Sequence, residues 1–515
     1  MTGNEIYRDV TKEEFPQECS RLFTGGNGRL RTMFAADLRE TGEGFCVYAV
    51  FSRAQEDRFE ILRLKNIEGK DGAYSFPSIT PAVPAAHWYE RQIADMFGLV
   101  PSGHPDLHPL VLHGLYPPEV YPLRRDISPE AIGRQLALEK EDLSPFMEVK
   151  GEGIYEIPVG PVHAGIIEPG HFRFSAVGET IYYLDARLFY THKGVEKLFE
   201  RTGFRAGVRL AERVSGVSSF AHSAAYCMAL ERMSGTLLPA RAAAIRTLLL
   251  EMERLYNHVG DIGNMCAGTG FAVGYAQGAS LKERLMALNE RLTGSRYLRG
   301  VNAPGGVLAD PLDEPAGTLR EIEDITKEYK SFISFLTDSV SHVERLENAG
   351  VLSRPVALSL GATGVAARAS GLNDDIRTTH PHLYYNQLVF ETHTRMKGDV
   401  FARMMLRADE VECSIAIIRS ILHKAKGKRI EGSILSEWEA PANKSGQALG
   451  YVEGPRGSVF YFVKSAADGT PLRVKPRAAS FCNWPLMPFA VHGNIVPDFP
   501  LINKSFNLSY SGSDA

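Results

Sequence analysis

Residues Glu212 to His222 read ERVSGVSSFAH. Ser215 and Ser218 stand in an S-x-x-S spacing, with Arg213 two residues ahead of the pair and His222 four residues behind it. Two side chains three residues apart are the spacing of a metal clamp, yet these are hydroxyls. Soft metal ions are held by deprotonated sulfur, and a serine keeps its proton at neutral pH. A second group lies in GPVHAGIIEPGHFRF, where His163, Glu168 and His171 share one loop bounded by glycine and proline. Imidazole delivers protons near neutral pH, and a glutamate among apolar neighbours is expected to hold its proton more tightly and pass it on. A third group is helical: Arg254, His258 and Asp261 fall on one stripe. Such a stripe is either a buried proton relay or a satisfied structural network. Asp399 in KGDVFAR and Arg368 in ARASG admit the same two readings, whereas GHPDL, Gly103 to Leu107, lacks a catalytic complement and is expected to secure a turn and a contact between subunits.

These groups need elements to place them. The chain has 515 residues, too long for one core, with 44% hydrophobic and 23% charged residues, ordinary values for a globular protein. A formal net charge of -4 excludes a nucleic-acid binder, which needs a concentrated basic surface. The polar, acidic amino terminus and the lack of a long apolar run imply neither export nor membrane crossing. Six scattered cysteines with no C-x-x-C pair offer no iron-sulfur or zinc framework and are expected to be buried small hydrophobes. From Arg29 to about Tyr121 the pattern is β-rich: FCVYAVFS and RFEILRLK read as strands separated by RAQED, and HWYERQIADMFGL as an amphipathic helix. Residues 127–151 carry alternating charge and read as a connector. Strand-like runs open the second unit, with two or three antiparallel strands before Thr191. Helices follow: one from Pro239, with apolar residues at three- and four-residue steps, then Ala279 to Leu292, Leu319 to Arg345 and Lys397 to Lys424. From Gly450 the chain returns to strands and loops. The fold class is α+β: a small α+β domain (1–126), the connector, and a mainly helical domain (152–515) with a β-rich start and carboxyl-terminal strands.

Three stretches together carry a family resemblance. YERQIADMFGL, GHPDL and YPLRRD resemble the small hydrophilic subunit of complex I. GPVHAGIIEPGHFRF with HKGVEKL is similar to the amino-terminal β-loop of the large subunit of group 4 membrane-bound nickel-iron hydrogenases of the formate hydrogenlyase type. EGPRG and RAASFCNWPLMPF are similar to the carboxyl-terminal part of that subunit, which is related to the quinone-side large subunit of complex I. The resemblance therefore implies a fusion of two subunits. In the hydrogenases R-x-C-G-x-C-x-x-x-H and D-P-C-x-x-C supply four thiolates. Here Arg213, Ser215, Gly216, Ser218 and His222 stand in the first frame, and NLSYSG in the second puts Ser509 and Gly512 at the cysteine positions. All four ligands are replaced, and the resemblance carries the fold while withdrawing the metal. The family hydrogenases also carry a removable extension past the second cysteine pair, whereas this chain stops at Ala515, so no processing is expected.

The resemblance further implies that Arg456, in EGPRG, overhangs the emptied centre, where it polarises a carbonyl, anchors an anion or forms a structural ion pair. His163 and His171 match a histidine-bearing loop that faces a quinone headgroup, and Glu168 the family's proton-path glutamate; a docking surface is the alternative reading for this loop. Arg213, His222, Arg254, His258, Asp261 and Asp399 are expected at the pocket or its proton path. The function implied is that of a metal-free large subunit in a membrane-associated oxidoreductase, receiving electrons from an iron-sulfur partner and acting on or near a quinone-like acceptor coupled to ion translocation. Partners are an iron-sulfur small subunit, a ferredoxin-like subunit and membrane-arm subunits, with a cytoplasmic location peripheral to the inner face of the cell membrane. A hydrogenase with unusual ligation and a non-catalytic scaffold are the alternatives.

Overall fold

The structure, a computed structural model, describes all residues except 1–3, 26–27, 54–55, 68, 71–72, 115, 118, 129, 131–145, 164–166 and 442–444. Most of the expected connector, part of RAQED and part of the histidine-bearing loop thus lie outside the described residues.

Apolar and β-branched runs near the amino terminus pair as strands, since such side chains fit a pleated, half-buried surface. β1 (Glu5–Val10), β2 (Arg29–Leu38), β3 (Gly44–Arg53) and β4 (Arg58–Leu64) form a sheet in the order β1-β4-β3-β2, with β1 parallel to β4 and the other pairs antiparallel. α1 (Glu14–Gly25) buries Phe15, Cys19 and Leu22 against it. β5 (Gly69–Lys70), β6 (Ala73–Pro77) and β7 (Leu99–Ser102) make a smaller sheet. α2 (His87–Phe97) packs on β2 and β7 and ends at Gly98 in the left-handed conformation.

The second unit opens with β8 (Tyr155–Val159), β9 (His171–Val177) and β10 (Thr180–Arg187), antiparallel in the order β10-β9-β8. Helices then dominate: α3 (Val195–Arg201), α4 (Ser219–Ser234), α5 (Ala240–Gly268), α6 (Ala272–Thr293), α7 (Pro315–Thr337), α8 (Gly364–Ala369) and α9 (Val400–Lys426), with the short β11 (Asn302–Ala303) and β12 (Gly306–Val307) between α6 and α7. β13 (Gln447–Gly454), β14 (Gly457–Ser465) and β15 (Pro471–Arg477) form an antiparallel sheet, followed by α10 (Phe499–Phe506) and α11 (Tyr510–Asp514). α5 is the axis of this unit. Its sequence is rich in Ala, Leu, Met, Glu and Arg, good helix formers, and it is buried nearly all round against α6, α9 and α10.

Two helix expectations need correction. The run Leu319 to Arg345 is not continuous: α7 stops at Thr337 and a separate short helix, Val340–Leu346, follows Asp338 and Ser339. α6 begins at Ala272, seven residues before the expected start at Ala279, although Gly274 and Gly278 are poor helix formers. Packing decides the second case. A Cβ on Gly278 would lie 2.6 Å from the Cα of Gly263, so the glycine lets α6 close onto α5.

The first sheet faces β13–β15. Phe34 and Phe462 meet with ring centroids 4.7 Å apart, and Arg473 Nε donates to the Ala35 carbonyl at 3.0 Å. Arg31 forms a buried bidentate pair with Asp374, at 2.7 and 2.6 Å. All six cysteines are free, five buried and Cys482 partly so.

Candidate functional site

The S-x-x-S segment turns into α4, and NLSYSG turns into α11, which sets the two segments face to face. Ser215 Oγ donates to Ser509 Oγ at 3.1 Å, and Ser509 Oγ accepts the Gly512 N–H at 2.9 Å as the amino-terminal cap of α11. Ser215, Ser218, Ser509 and Gly512 are all buried. A side chain at position 512 would be tight: a Cβ would stand 3.0 Å from Ser509 Oγ and 3.2 Å from Ser215 Cβ, so those serines would have to give by a few tenths of an ångström. A neighbouring cavity, lined in part by Val214, Lys475, Gly512 and Ser513, measures about 10 Å³, at the lower limit for one water. The hydrophobic pattern of the sequence fits an open or a filled interior equally; in the structure the junction is buried and tightly packed. Two hydroxyls bonded to each other and a glycine without a donor do not fit a bimetallic centre that needs four thiolates. Among the described residues no group of three or more His, Cys, Asp and Glu side chains is arranged to hold a metal ion.

α5 braces both segments through one stripe, Glu253, Asn257 and Asp261. The Glu253 carboxylate accepts N–H groups of Phe220 and Ala221, at 2.8 and 3.0 Å, in the first turn of α4. Burial pushes its pKa up to about 8, against the pull of those N–H groups. Asn257 donates to the Val217 carbonyl at 2.9 Å and accepts from Arg456 at 2.9 Å. Arg456 also donates to the Asn507 carbonyl and pairs with Asp261 at 3.3 Å. Asp261 takes a further bond from the Asn507 side chain and a second ion pair from Arg407, also at 3.3 Å. Burial alone would raise the Asp261 pKa, but Arg456 and Arg407 hold it below the usual carboxylate range. Of the readings for Arg456, the structure has the ion pair. Its guanidinium ties the carboxyl-terminal segment to α5.

Arg254 and His258 belong to a larger buried network. His258 Nε2 lies 2.7 Å from a Glu410 oxygen, and Arg254 pairs with Glu251 at 3.1 Å while donating to the carbonyls of Glu453 and Gly454. Arg368 bridges Glu410 at 2.7 Å, Glu453 at 2.9 Å and Asp375 at 3.3 Å. Arg377 links Asp375 at 2.7 Å to Glu251 at 3.0 Å, and Tyr385 donates to Glu251 at 2.6 Å. Burial lowers the His258 pKa to about 4, so the ring is neutral at pH 7 even beside Glu410. Burial would raise Glu251, yet Arg254 and Arg377 bring it to about 2. Glu453 moves up through burial and the adjoining Asp375, which the arginines hold down. Sequence reading missed Glu251, Glu253, Glu410, Glu453, Asp375 and Arg377. Arg403, Arg407 and Glu410 repeat at four- and three-residue steps along α9, the same signal that marked α5.

The remaining sites fall in several places. His163 Nε2 is 2.7 Å from the Gly170 carbonyl and His171 Nδ1 is 3.2 Å from that of Gly160, so carbonyls of the loop hold both rings. Glu168 accepts the Ser511 N–H at 2.9 Å, which joins the loop to α11 beside the serine junction. His222 is buried with Nδ1 2.9 Å from the Tyr461 hydroxyl; burial, then the charges of Lys193 and Arg477, pushes its pKa to about 3. Arg213 is exposed and donates to the carbonyl of Arg209 on its own turn, outside the pocket expected for it. Asp399 is no part of this cluster either: it caps α9 by accepting from Ala402 at 2.7 Å and also accepts the Asn348 N–H at 3.0 Å. In GHPDL, Asp106 N–H bonds back to His104 Nδ1 at 3.1 Å, a turn as expected.

Comparison with known proteins agrees with this architecture. The family described as "Respiratory-chain NADH dehydrogenase, 30 Kd subunit" matches residues 8–132, and "Respiratory-chain NADH dehydrogenase, 49 Kd subunit" matches 266–443 and 433–515. The chain is 34% identical to formate hydrogenlyase subunit 5 of Escherichia coli (strain K12), over 100% of its own length and 90% of that protein. It is 29% identical to the C/D subunit of NADH-quinone oxidoreductase from Phocaeicola vulgatus, over 91% of its length and 92% of that protein. Among solved structures, a chain of the membrane-bound sulfane sulfur reductase, an archaeal respiratory membrane complex, superposes with a TM-score of 0.65 at 29% identity, covering 71% of this chain and 99% of that one. The motifs, the two family matches in one polypeptide and the full-length identity lead to one conclusion: the chain belongs to the family of complex I-like, hydrogenase-related subunits in which the 30 kDa-type and 49 kDa-type parts are fused.

Proposed function

We propose that this protein is a metal-free, hydrogenase-type large subunit of a membrane-associated, complex I-like oxidoreductase. The observation that carries the proposal is the junction itself. Positions that match both of the family's ligand frames meet there, and a hydroxyl-to-hydroxyl bond with a glycine closes them. Oxygen at these positions lacks the softness and acidity that low-valent nickel demands. In this reading electrons arrive on an iron-sulfur cluster of a partner subunit, and membrane-arm subunits anchor the chain at the membrane; no helix among the described residues is long and apolar enough to cross one.

The closed junction moves the reaction to its rim. His163, Glu168 and His171 are the proton-handling groups there, and a quinone-like acceptor meets the loop rather than the space between the serines. Glu168 couples the loop to α11 through Ser511, so a change at the loop reaches Ser509, Asn507 and then Arg456 and Asp261. Exposed Val162 and Ile167 on the same loop favour contact with a partner subunit.

The test is isolation of the chain with its native membrane partners, followed by separate His171→Gln and Glu168→Gln substitutions. Retained assembly with at least a tenfold loss of acceptor reduction is expected, the scale typical of removing a positioned acid or base. Full turnover in both variants within an intact complex would instead favour the scaffold reading, and a chain that purifies alone would remove the complex itself.

A further inference from the structure

One face of the β10-β9-β8 sheet holds an aromatic ring from outside it. Antiparallel register sets Arg187 directly across from His171, and Arg173 follows two residues later on the same strand, so all three side chains share a face. Phe146 sits on that face. The Arg187 guanidinium carbon is 3.4 Å from the centre of its ring and that of Arg173 4.7 Å, and the His171 imidazole tilts against it with centroids 5.0 Å apart. The arginines are themselves placed by carboxylates, Arg173 by Glu156 and Arg187 by Asp185 at 3.9 Å.

The contact has two uneven sides. His171 is only 9% exposed, and its Nε2 is buried with no hydrogen-bond partner among the described residues. Among the described residues nothing replaces the water that such a buried imidazole nitrogen gives up, while Nδ1 is occupied by the Gly160 carbonyl. The backbone beneath is firmly set, because Phe172 packs inward against Trp484 and Phe499. The chain that carries Phe146 is held far less: Met147 is 59% exposed, and Glu148 and Lys150 are exposed as well. The half-buried Phe146 ring thus stacks against a firmly mounted histidine.

We propose that Phe146 is an internal plug, seated between Arg173 and Arg187, that closes His171 off and exposes its free nitrogen when it withdraws. The seat depends on attraction between guanidinium and ring, so another planar ring or a competing anion at the arginines would unseat it. This device concerns access alone and does not rest on any redox role for the loop.

Carbethoxylation of histidines by diethyl pyrocarbonate, followed residue by residue by peptide mass spectrometry on the full chain in its complex, tests it. His108 is the exposed reference and His222 the buried one. In the unmodified protein His171 should react at least about tenfold more slowly than His108, as a group protected by a local closed state. Phe146→Ala should bring His171 to within a few fold of His108 and leave His222 slow, whereas Phe146→Trp, which keeps a ring in the seat, should leave His171 slow. An unchanged His171 rate in Phe146→Ala with His222 still protected would overturn the proposal, as would rapid reaction of His171 in the Phe146→Trp variant.

Discussion

On the proposed reading, serine rather than cysteine at Ser215, Ser218 and Ser509 alters how the neighbouring backbone is held. A serine hydroxyl can both donate and accept, so Ser215 and Ser509 bond to each other and Ser509 caps α11; a thiol does either weakly. Behind the junction Glu253 carries the anchoring of α4, and its carboxyl, raised to about 8 by burial, makes a pH prediction. A folded-state pKa above the unfolded value contributes stability that is complete below the unfolded pKa and disappears as pH rises through the folded one. Stability should therefore decline between about pH 4.5 and 8 by an amount on the order of a few kcal/mol. Glu253→Gln should lack that decline. It loses one acceptor for the α4 N–H groups at every pH, at about 1–3 kcal/mol, so its deficit against the parent should shrink as pH rises. Urea unfolding at mildly acidic and mildly alkaline pH checks this, and a constant deficit would contradict it. Residue spacing exposed Arg254, His258 and Asp261 because they lie on one helix. Their partners did not show: Glu410 reaches His258 from 152 residues away, a pairing that only tertiary structure makes.

At the scale of elements, periodicity located the long helices and alternation the strands, while boundaries followed packing. α6 extends past its glycines because Gly278 meets Gly263, and α7 ends earlier than its apolar period because the chain turns at Asp338. Asp399 illustrates how an acidic residue in a helix-rich stretch is ambiguous in one dimension. Its place at the start of α9, with two backbone N–H groups on its oxygens, gives it a capping task. Asp399→Ala should cost about 0.5–2 kcal/mol, the usual value of a lost cap, and leave turnover of the folded complex unchanged. Thermal unfolding and acceptor reduction measured side by side check it; lost turnover at unchanged stability would return Asp399 to a proton path.

Over the whole molecule, the fusion was legible in its motifs, whereas the way its two parts meet was not. The Arg31–Asp374 pair joins residues 343 apart and is almost fully buried. Removing one partner of such a pair strands the other charge, and Arg31→Ala should destabilise the protein by about 3–5 kcal/mol. Because the pair lies between the first sheet and the large unit, unfolding followed by calorimetry should also separate into two transitions where the parent shows one. A single, unshifted transition would mean the parts do not rely on this contact. The central claim, that hydroxyls have closed an inherited metal frame while the surrounding fold still serves a redox complex, is tested most directly by metal analysis of the chain purified with its partners. The account predicts iron in the amount carried by the partners' clusters and no stoichiometric nickel. Nickel bound in proportion to this chain, and lost on Ser215→Ala with Ser509→Ala, would contradict it.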